Sequence, residues 1–401
     1  MIVVAALVAV MALRPATLRS RLWRAMVTPL ASIIGSGFLI AGPILAHVAS
    51  NWAFLGMAFL CAVAFLFGAA VRRNILLVEP LSQGGLPGHL ATVEHLSEFA
   101  IAFAYFISVT YYLNLFAAFL LKADAIVDPF YIRVAATIVI AGLGVVGGLR
   151  GLGGLERIEV SAVGLKLSII AGLLAALLFF DVRALTQHSL ALPMMSHDAG
   201  LKEAGVLLGL IILVQGFETS RYLGAEYDAE MRVRTMRMAQ ILSTAIYIAF
   251  ILLITPFFSG KLPKVGGETA IIDILTPLGA AVGPLLIFAA LASQLSAAVA
   301  DMNGASGLLY DASKQRIPLK VGYIATAAFA VVLTWVANIY EIITFASKAF
   351  ALYYGLQCYL AAVVTLRKDR QNARFLVPLF LAGAALAGAI VIFGIPAETG
   401  Q

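Results

Sequence analysis

The chain has 401 residues, of which 62% are hydrophobic and only 12% charged. No water-soluble domain of that length hides so much apolar surface, so composition excludes a soluble enzyme or binding module and requires a polytopic membrane protein. The net charge of +6 comes from lysines and arginines spread over short loops rather than gathered in one patch, so no nucleic-acid partner is expected.

Residues 1–24 read as a leader. The apolar run 1–13 is shorter than the roughly 20 residues a crossing needs. It lacks the preceding basic region of a signal peptide, and Arg14, Arg19, Arg21 and Arg24 follow it. An interfacial or disordered segment is expected there. Residues 25–401 read as one transmembrane domain. Helices are predicted near 27–48, 52–71, 98–121, 131–149, 159–181, 203–226, 240–258, 283–310, 321–337, 341–366 and 375–394, about eleven in all. With the N-terminus inside, the cytoplasmic loops receive Arg72, Arg73, Arg150, Arg157, Arg232, Arg234, Arg237, Lys314, Arg316, Lys320 and Arg367 to Arg374. The outer loops receive only Lys122, Arg133, Arg183, Lys202, Lys261 and Lys264. That bias predicts a multi-pass protein of the plasma membrane, the inner membrane in a bacterium, with its C-terminus outside. Membrane lipid is then an obligatory partner.

The stretch Ala31-Ser-Ile-Ile-Gly-Ser-Gly-Phe-Leu-Ile-Ala-Gly-Pro43 interrupts the first crossing. Gly35, Ser36 and Gly37 invite the helix to open, which hydrocarbon tolerates only where the backbone lines a cavity or is buried in protein. Small residues that let a second helix approach closely explain the same pattern. Five helices later the sixth crossing reads Val214-Gln-Gly-Phe-Glu-Thr-Ser-Arg-Tyr-Leu-Gly224. There Gln215, Gly216, Glu218 and Arg221 interrupt an apolar run. Paired interruptions in the first members of two five-helix groups are the mark of inverted repeats. Repeat one is placed at about 27–181, repeat two at about 203–366, and an extra helix at 375–394.

These residues resemble the amino acid–polyamine–organocation superfamily of transporters, with its LeuT-type fold. Ile34-Gly-Ser-Gly-Phe38 with Pro43 is similar to that family's opening signature, and Gly216-Phe-Glu218 to its broken sixth helix. Ala225-Glu226 with Arg232 and Arg237 is similar to the loop that follows. Ser293 to Leu309 with Tyr310-Asp-Ala-Ser-Lys-Gln-Arg-Ile-Pro318 is similar to its eighth helix and exit. Ser82-Gln-Gly-Gly85 looks like its turn after the second helix, without the proline. The chain departs from the family at Ala229-Glu230 and Thr235-Met236, where prolines are usual, and in having about eleven helices where twelve are commoner. The resemblance implies an all-α, five-plus-five inverted repeat with broken helices one and six.

Each ionisable group at depth is a functional candidate. Lys166 in the fifth crossing either snorkels or pairs with Glu159, or serves coupling. In some proton-coupled members of the resembled family a fifth-helix lysine stands where sodium-coupled relatives hold an ion. Glu218 is either a partner for Arg221 on the same face or a gating, proton-carrying acid, and Arg221 is expected to counter Glu218 or Glu226. In the eighth crossing Ser293, Gln294, Ser296, Asp301 and Asn303 form a polar column. Ser293 and Ser296 face either one site or a neighbouring helix, and Asp301 needs an aqueous or paired environment. Lys348 is read as a tether to Glu341, and Tyr111, Tyr112 and Asn114 as pocket lining or packing. The resemblance places substrate at Ile33, Gly35, Ser36, Gly37, Ile212, Gln215, Gly216 and Phe217. Backbone N–H groups at Ser36 and Gly37 would suit a carboxylate, and carbonyls near Ile33, Ile212 and Gln215 an ammonium.

The expected function is secondary transport of amino acids or related amines by alternating access, with the proton as coupling ion. An exchanger, a carrier of another small cation and a non-transporting sensor remain as alternatives. Cys61 and Cys358 both sit in apolar segments, the five histidines have no metal-ligand spacing, and no nucleophile or phosphate-loop motif is present. No cofactor, metal or enzymatic activity is expected.

Overall fold

A computed structural model of the protein describes residues 1–35, 37–49, 52–83, 85–152, 156–189, 200–259 and 267–397, with backbone alone at 82, 83, 156–162 and 259. The expectations for Ser36, Gly84, Lys261 and Lys264 lie outside these residues. Among the described residues all regular structure is helical, and ten helical segments are long and apolar enough to cross a membrane. The sixth crossing, broken into short pieces, brings the count to eleven.

The first crossing is two half-helices, α3 (Arg21–Ile33) and α4 (Gly37–Ala49). Ser20 caps α3 by accepting from Trp23 N. A short α2 (Pro15–Arg19) precedes it, and α1 (Ile2–Ala12) lies before that. The second and third crossings are α5 (Ala53–Leu77) and α7 (Gly88–Lys122), joined through α6 (Glu79–Gln83). The fourth is α8 (Pro129–Arg150) and the fifth α9 (Glu156–Thr186). In the sixth, α10 (Leu201–Leu208) is followed by tight turns of 3₁₀ helix at Ile211–Val214 and Phe217–Leu223, on either side of Gln215 and Gly216. The rest are α11 (Ala229–Ile254), a short α12 (Ala270–Ile274) in the following connection, α13 (Val282–Ala312), α14 (Leu319–Val336), α15 (Ile339–Lys368) and α16 (Arg370–Phe393).

The packing has the inverted symmetry that the paired interruptions predict. Corresponding helices of the two halves lie against each other: α5 on α11, α7 on α13 and α8 on α14. The broken helices cross over, with α3 against Phe217–Leu223 and α4 against both α10 and Ile211–Val214. The N-terminal half of each broken helix therefore meets the C-terminal half of the other, as in an inverted repeat.

Three sequence expectations are corrected here. The leader is an ordered helix: α1 lies along α9, where a Cβ on Gly172 would come 2.9 Å from Ala5 Cβ and one on Gly164 3.3 Å from Ala12 Cβ. The second and third helices are longer than their hydropathy, because polar residues in their extra turns have partners inside the bundle. Arg72 thus lies within α5, 5% exposed, donating to Gln240 of α11, rather than in a loop. Arg73 next to it pairs with Asp369, whose carboxyl is held below the usual range by hydrogen bonds from Asn372 and Arg73. The seventh helix likewise begins at Ala229, capped by Asp228, which accepts from Met231 N at 2.8 Å.

Gly216 has φ +113° and a Cβ there would stand 2.7 Å from the Ser32 carbonyl carbon. Both backbone conformation and space require glycine. Gly216→Ala is expected to destabilise the purified protein by about 1–3 kcal/mol. Thermal unfolding in detergent checks this, and an unchanged midpoint would show that the break relaxes freely.

Candidate functional site

A helix that stops in hydrocarbon leaves its last carbonyls without intrahelical donors. At and just past the end of α3 the chain's own Gly35 N serves Ser32 O at 3.1 Å, and three further carbonyls are met from other crossings. Lys166 Nζ of α9 donates to Ala31 O at 3.1 Å, the Tyr247 hydroxyl of α11 lies 2.9 Å from Ile33 O, and Ser293 Oγ of α13 donates to Gly35 O. Lys166 Nζ also donates to Ser293 Oγ at 3.2 Å. Ammonium, hydroxyl and the two carbonyls of Ala31 and Gly35 thus form one connected chain. A cavity of about 20 Å³ adjoins it, lined by Gly35, Phe38, Ile169, Ala289 and Ser293 among others, which is room for a single water.

The sixth-crossing break is satisfied in the same manner. Ile212 N donates to Ser347 Oγ of α15 at 3.1 Å, and Gln215 Nε2 donates to the Tyr112 hydroxyl of α7 at 3.1 Å. Gly216 N donates to Glu218 Oε2 at 2.9 Å, and the Tyr354 hydroxyl donates to that same oxygen at 2.7 Å. Phe217 stacks on the Tyr354 ring at 5.0 Å. Tyr247 joins the two breaks, its hydroxyl being 2.6 Å from Leu213 O as well as 2.9 Å from Ile33 O. One hydroxyl proton cannot satisfy two carbonyls fully, so acceptor capacity is left over. Gln215 Oε1 and Glu218 Oε1 are buried and, among the described residues, have no hydrogen-bond partner. The breaks also touch directly, since a Cβ on Gly37 would stand 2.6 Å from Leu213 Cα. The region is rich in acceptors on the sixth-crossing side. On the other side Gly37 and Phe38 open α4, whose first N–H groups have no intrahelical acceptor.

The structure therefore brings together Ile33, Gly35, Gly37, Lys166, Ile212, Gln215, Gly216, Phe217, Glu218 and Ser293. It leaves Ser296 apart, half-buried and outside these contacts. Arg221 does not counter Glu218 or Glu226. It pairs with Glu94 of α7 and approaches Glu79 at 3.7 Å, and Arg232 donates to Glu79 at 2.6 Å and to Arg221 O at 2.7 Å. The reason is geometric: Glu218 turns back onto the N–H of Gly216, while Arg221 one helical turn later faces α7. Asp301 is buried and accepts from Ser108 of α7. Lys348 has no tether to Glu341, whose carboxylate instead accepts from Asn338 N at 2.8 Å in a capping box. Asn114 packs, donating to Thr334 Oγ1 at 2.8 Å. The Glu159 side chain is outside what is described.

Tyr247, Ser347 and Tyr354 escape the sequence reading. Their one signal is position: tyrosine in membrane helices favours the interfaces, whereas Tyr247 and Tyr354 stand well inside their helices. Two substitutions separate the roles. Tyr247→Phe is expected to cost about 1–3 kcal/mol by leaving buried carbonyls short of a donor. Arg221→Gln is expected to cost about 3–5 kcal/mol by leaving the Glu94 carboxylate uncompensated, Glu79 keeping Arg232. Thermal unfolding ranks them, and a larger loss for Tyr247→Phe would reverse the assignment.

Three comparisons bear on this arrangement. A family model described as "APC superfamily transporter" matches residues 15–394. An uncharacterized protein of Aquifex aeolicus (strain VF5) is 42% identical over 386 residues, covering 95% of this chain and 93% of its own. The fold is similar to a solved structure of a Na⁺-coupled sialic acid symporter in a substrate-bound outward-open state, with TM-score 0.56 and 14% identity, covering 98% of this chain and 96% of that one. With broken first and sixth helices meeting at the centre of an inverted repeat and a family match over nearly the whole length, the chain belongs to the APC superfamily of transporters.

Proposed function

We propose that this secondary transporter carries small amino acids or related amines, and that Lys166 couples proton movement to their transport. The observation that supports this most directly is the position of the Lys166 ammonium, which braces the end of α3 through Ala31 O and reaches Ser293 on α13. A charged ammonium makes stronger hydrogen bonds than a neutral amine. Loss of its proton weakens the brace and shifts the balance between conformations in which α3 is held or released. Surplus acceptors at Ile33, Leu213, Gln215 and Glu218 suit a substrate ammonium, and the opening N–H groups of α4 suit a carboxylate. Ile212 and Leu213 stand just before the sixth-crossing break, where an aromatic gate would favour bulky substrates, so small ones are preferred.

Uptake into proteoliposomes under an inside-alkaline gradient tests the coupling. The wild type is expected to accumulate substrate with the gradient, and Lys166→Ala to lose at least ten-fold of the gradient-dependent component. Retained pH-driven uptake in Lys166→Ala would sink the proposal.

Substrate class has its own check. Thermal unfolding across amino acids, amines and small organic anions is expected to show stabilisation by an amino acid or amine, about 2.7 kcal/mol at 100 times its Kd. Stabilisation by anions alone, or by nothing well above ordinary transporter affinities, would overturn the amino-acid reading while leaving the coupling test standing.

A further inference from the structure

Helices α8 and α14, the fourth and ninth crossings, touch through small residues. A Cβ on Gly147 would come 2.8 Å from the Tyr323 ring, and one on Gly148 3.2 Å from Ile324 Cγ1. Along the outer side of this pair runs an apolar groove of about 630 Å³, lined by Ala141, Gly144, Val145, Gly148, Ile324 and Ala328 among others. From Ala141 to Leu149 it extends ~12 Å along α8.

One end of the groove is basic. Arg150 closes α8 two residues past Gly148, and Lys320 is the second residue of α14, its carbonyl 3.9 Å from where a Gly148 Cβ would stand. Lys314 and Arg316 lie in the turn that leads into α14. These four side chains are exposed, and among the described residues none of them is in an ion pair. Among the described residues Asp311, in the last turn of α13 and close in sequence to Lys314 and Arg316, is an exposed carboxylate. The other end of the groove is apolar, at Ala141 and Val331.

We propose that this groove binds one anionic phospholipid, an acyl chain lying between α8 and α14 and the phosphate held by Arg150 and Lys320. Unpaired cations between transmembrane helices, at the mouth of an apolar slot, match the two ends of such a lipid. A zwitterionic headgroup would bring its own cation against the other positive charges. A second copy of the chain docked through this face by a two-fold would set two groups of unpaired cations side by side. The bound lipid would span one helix from each repeat.

Delipidated protein titrated with phosphatidylglycerol and with phosphatidylcholine of the same chains, read by native mass spectrometry, tests this. The first phosphatidylglycerol is expected to bind at least ten-fold tighter. Arg150→Gln and Lys320→Gln are each expected to lose about five-fold for phosphatidylglycerol alone. Ala328→Trp fills the groove from its exposed side without touching a cation, and is expected to weaken the first phosphatidylglycerol as well. Equal affinity for the two lipids in the wild type would overturn the proposal, as would phosphatidylglycerol binding unchanged in all three variants. A dimer that Ala328→Trp dissolves, with no lipid preference, would assign the groove to a second copy instead.

Discussion

Hydrocarbon offers no hydrogen bonds, and a helix broken inside it must be repaired by side chains from elsewhere. That constraint organises this molecule. The break at Ile33 to Gly37 is closed by Lys166, Tyr247 and Ser293, and the break at Gln215 and Gly216 by Tyr112, Glu218, Ser347 and Tyr354. Lys166, Tyr247, Ser293 and Ser347 each reach the broken backbone from a different crossing, Glu218 folds back onto its own turn, and Tyr112 and Tyr354 hold the side chains of Gln215 and Glu218. The breaks are therefore as stable as the tertiary packing around them and no more. A transporter needs this property, because helix ends held by a few side-chain contacts can be released without unfolding the helices that carry them.

Charge is distributed by the same economy. Arg221 and Arg232, both buried, and the half-buried Glu79 and Glu94 form a mutually compensating group beneath the sixth-crossing break. Removing one member would leave a charge in a poorly solvated place, so this group fixes geometry rather than adding large net stability. Arg72 has a different solution, a hydrogen bond to Gln240 and a position 4.9 Å over the Phe65 ring. Arg72 and Arg232 belong to turns that hydropathy assigns to loops, and their partners are what let α5 and α11 extend as helices inside the bundle.

How much of this was legible in the sequence follows from the range of each interaction. Gly35 and Gly216 announce their breaks locally, because glycine is the residue that opens a helix, and their spacing announces the repeat. Lys166 is visible because an isolated cation in an apolar run is costly. Arg221 is equally visible, but its partner Glu94 lies 127 residues away on a helix whose first turns look like a loop, so the nearer Glu218 is the natural and incorrect choice. Tyr247 is chemically ordinary in sequence, and only the fold shows its hydroxyl between Ile33 and Leu213. The leader's helix is illegible for a related reason: Ala5 and Ala12 carry no signal until Gly164 and Gly172 are set opposite them.

The repairs themselves follow the inverted repeat. The fifth crossing braces the first through Lys166 and Ala31, and its counterpart, the tenth, braces the sixth through Ser347 and Tyr354. The eighth meets the first at Ser293 and Gly35, and its counterpart, the third, meets the sixth at Tyr112 and Gln215. Geometry is thus shared between the halves while chemistry is not. On the first-helix side the ionisable group sits on the brace, as a cation. On the sixth-helix side it sits on the broken helix, as the acid Glu218, and the brace is a phenol. Symmetric backbones permit two related conformations of comparable energy, and this asymmetry of charge is what distinguishes the two halves electrostatically.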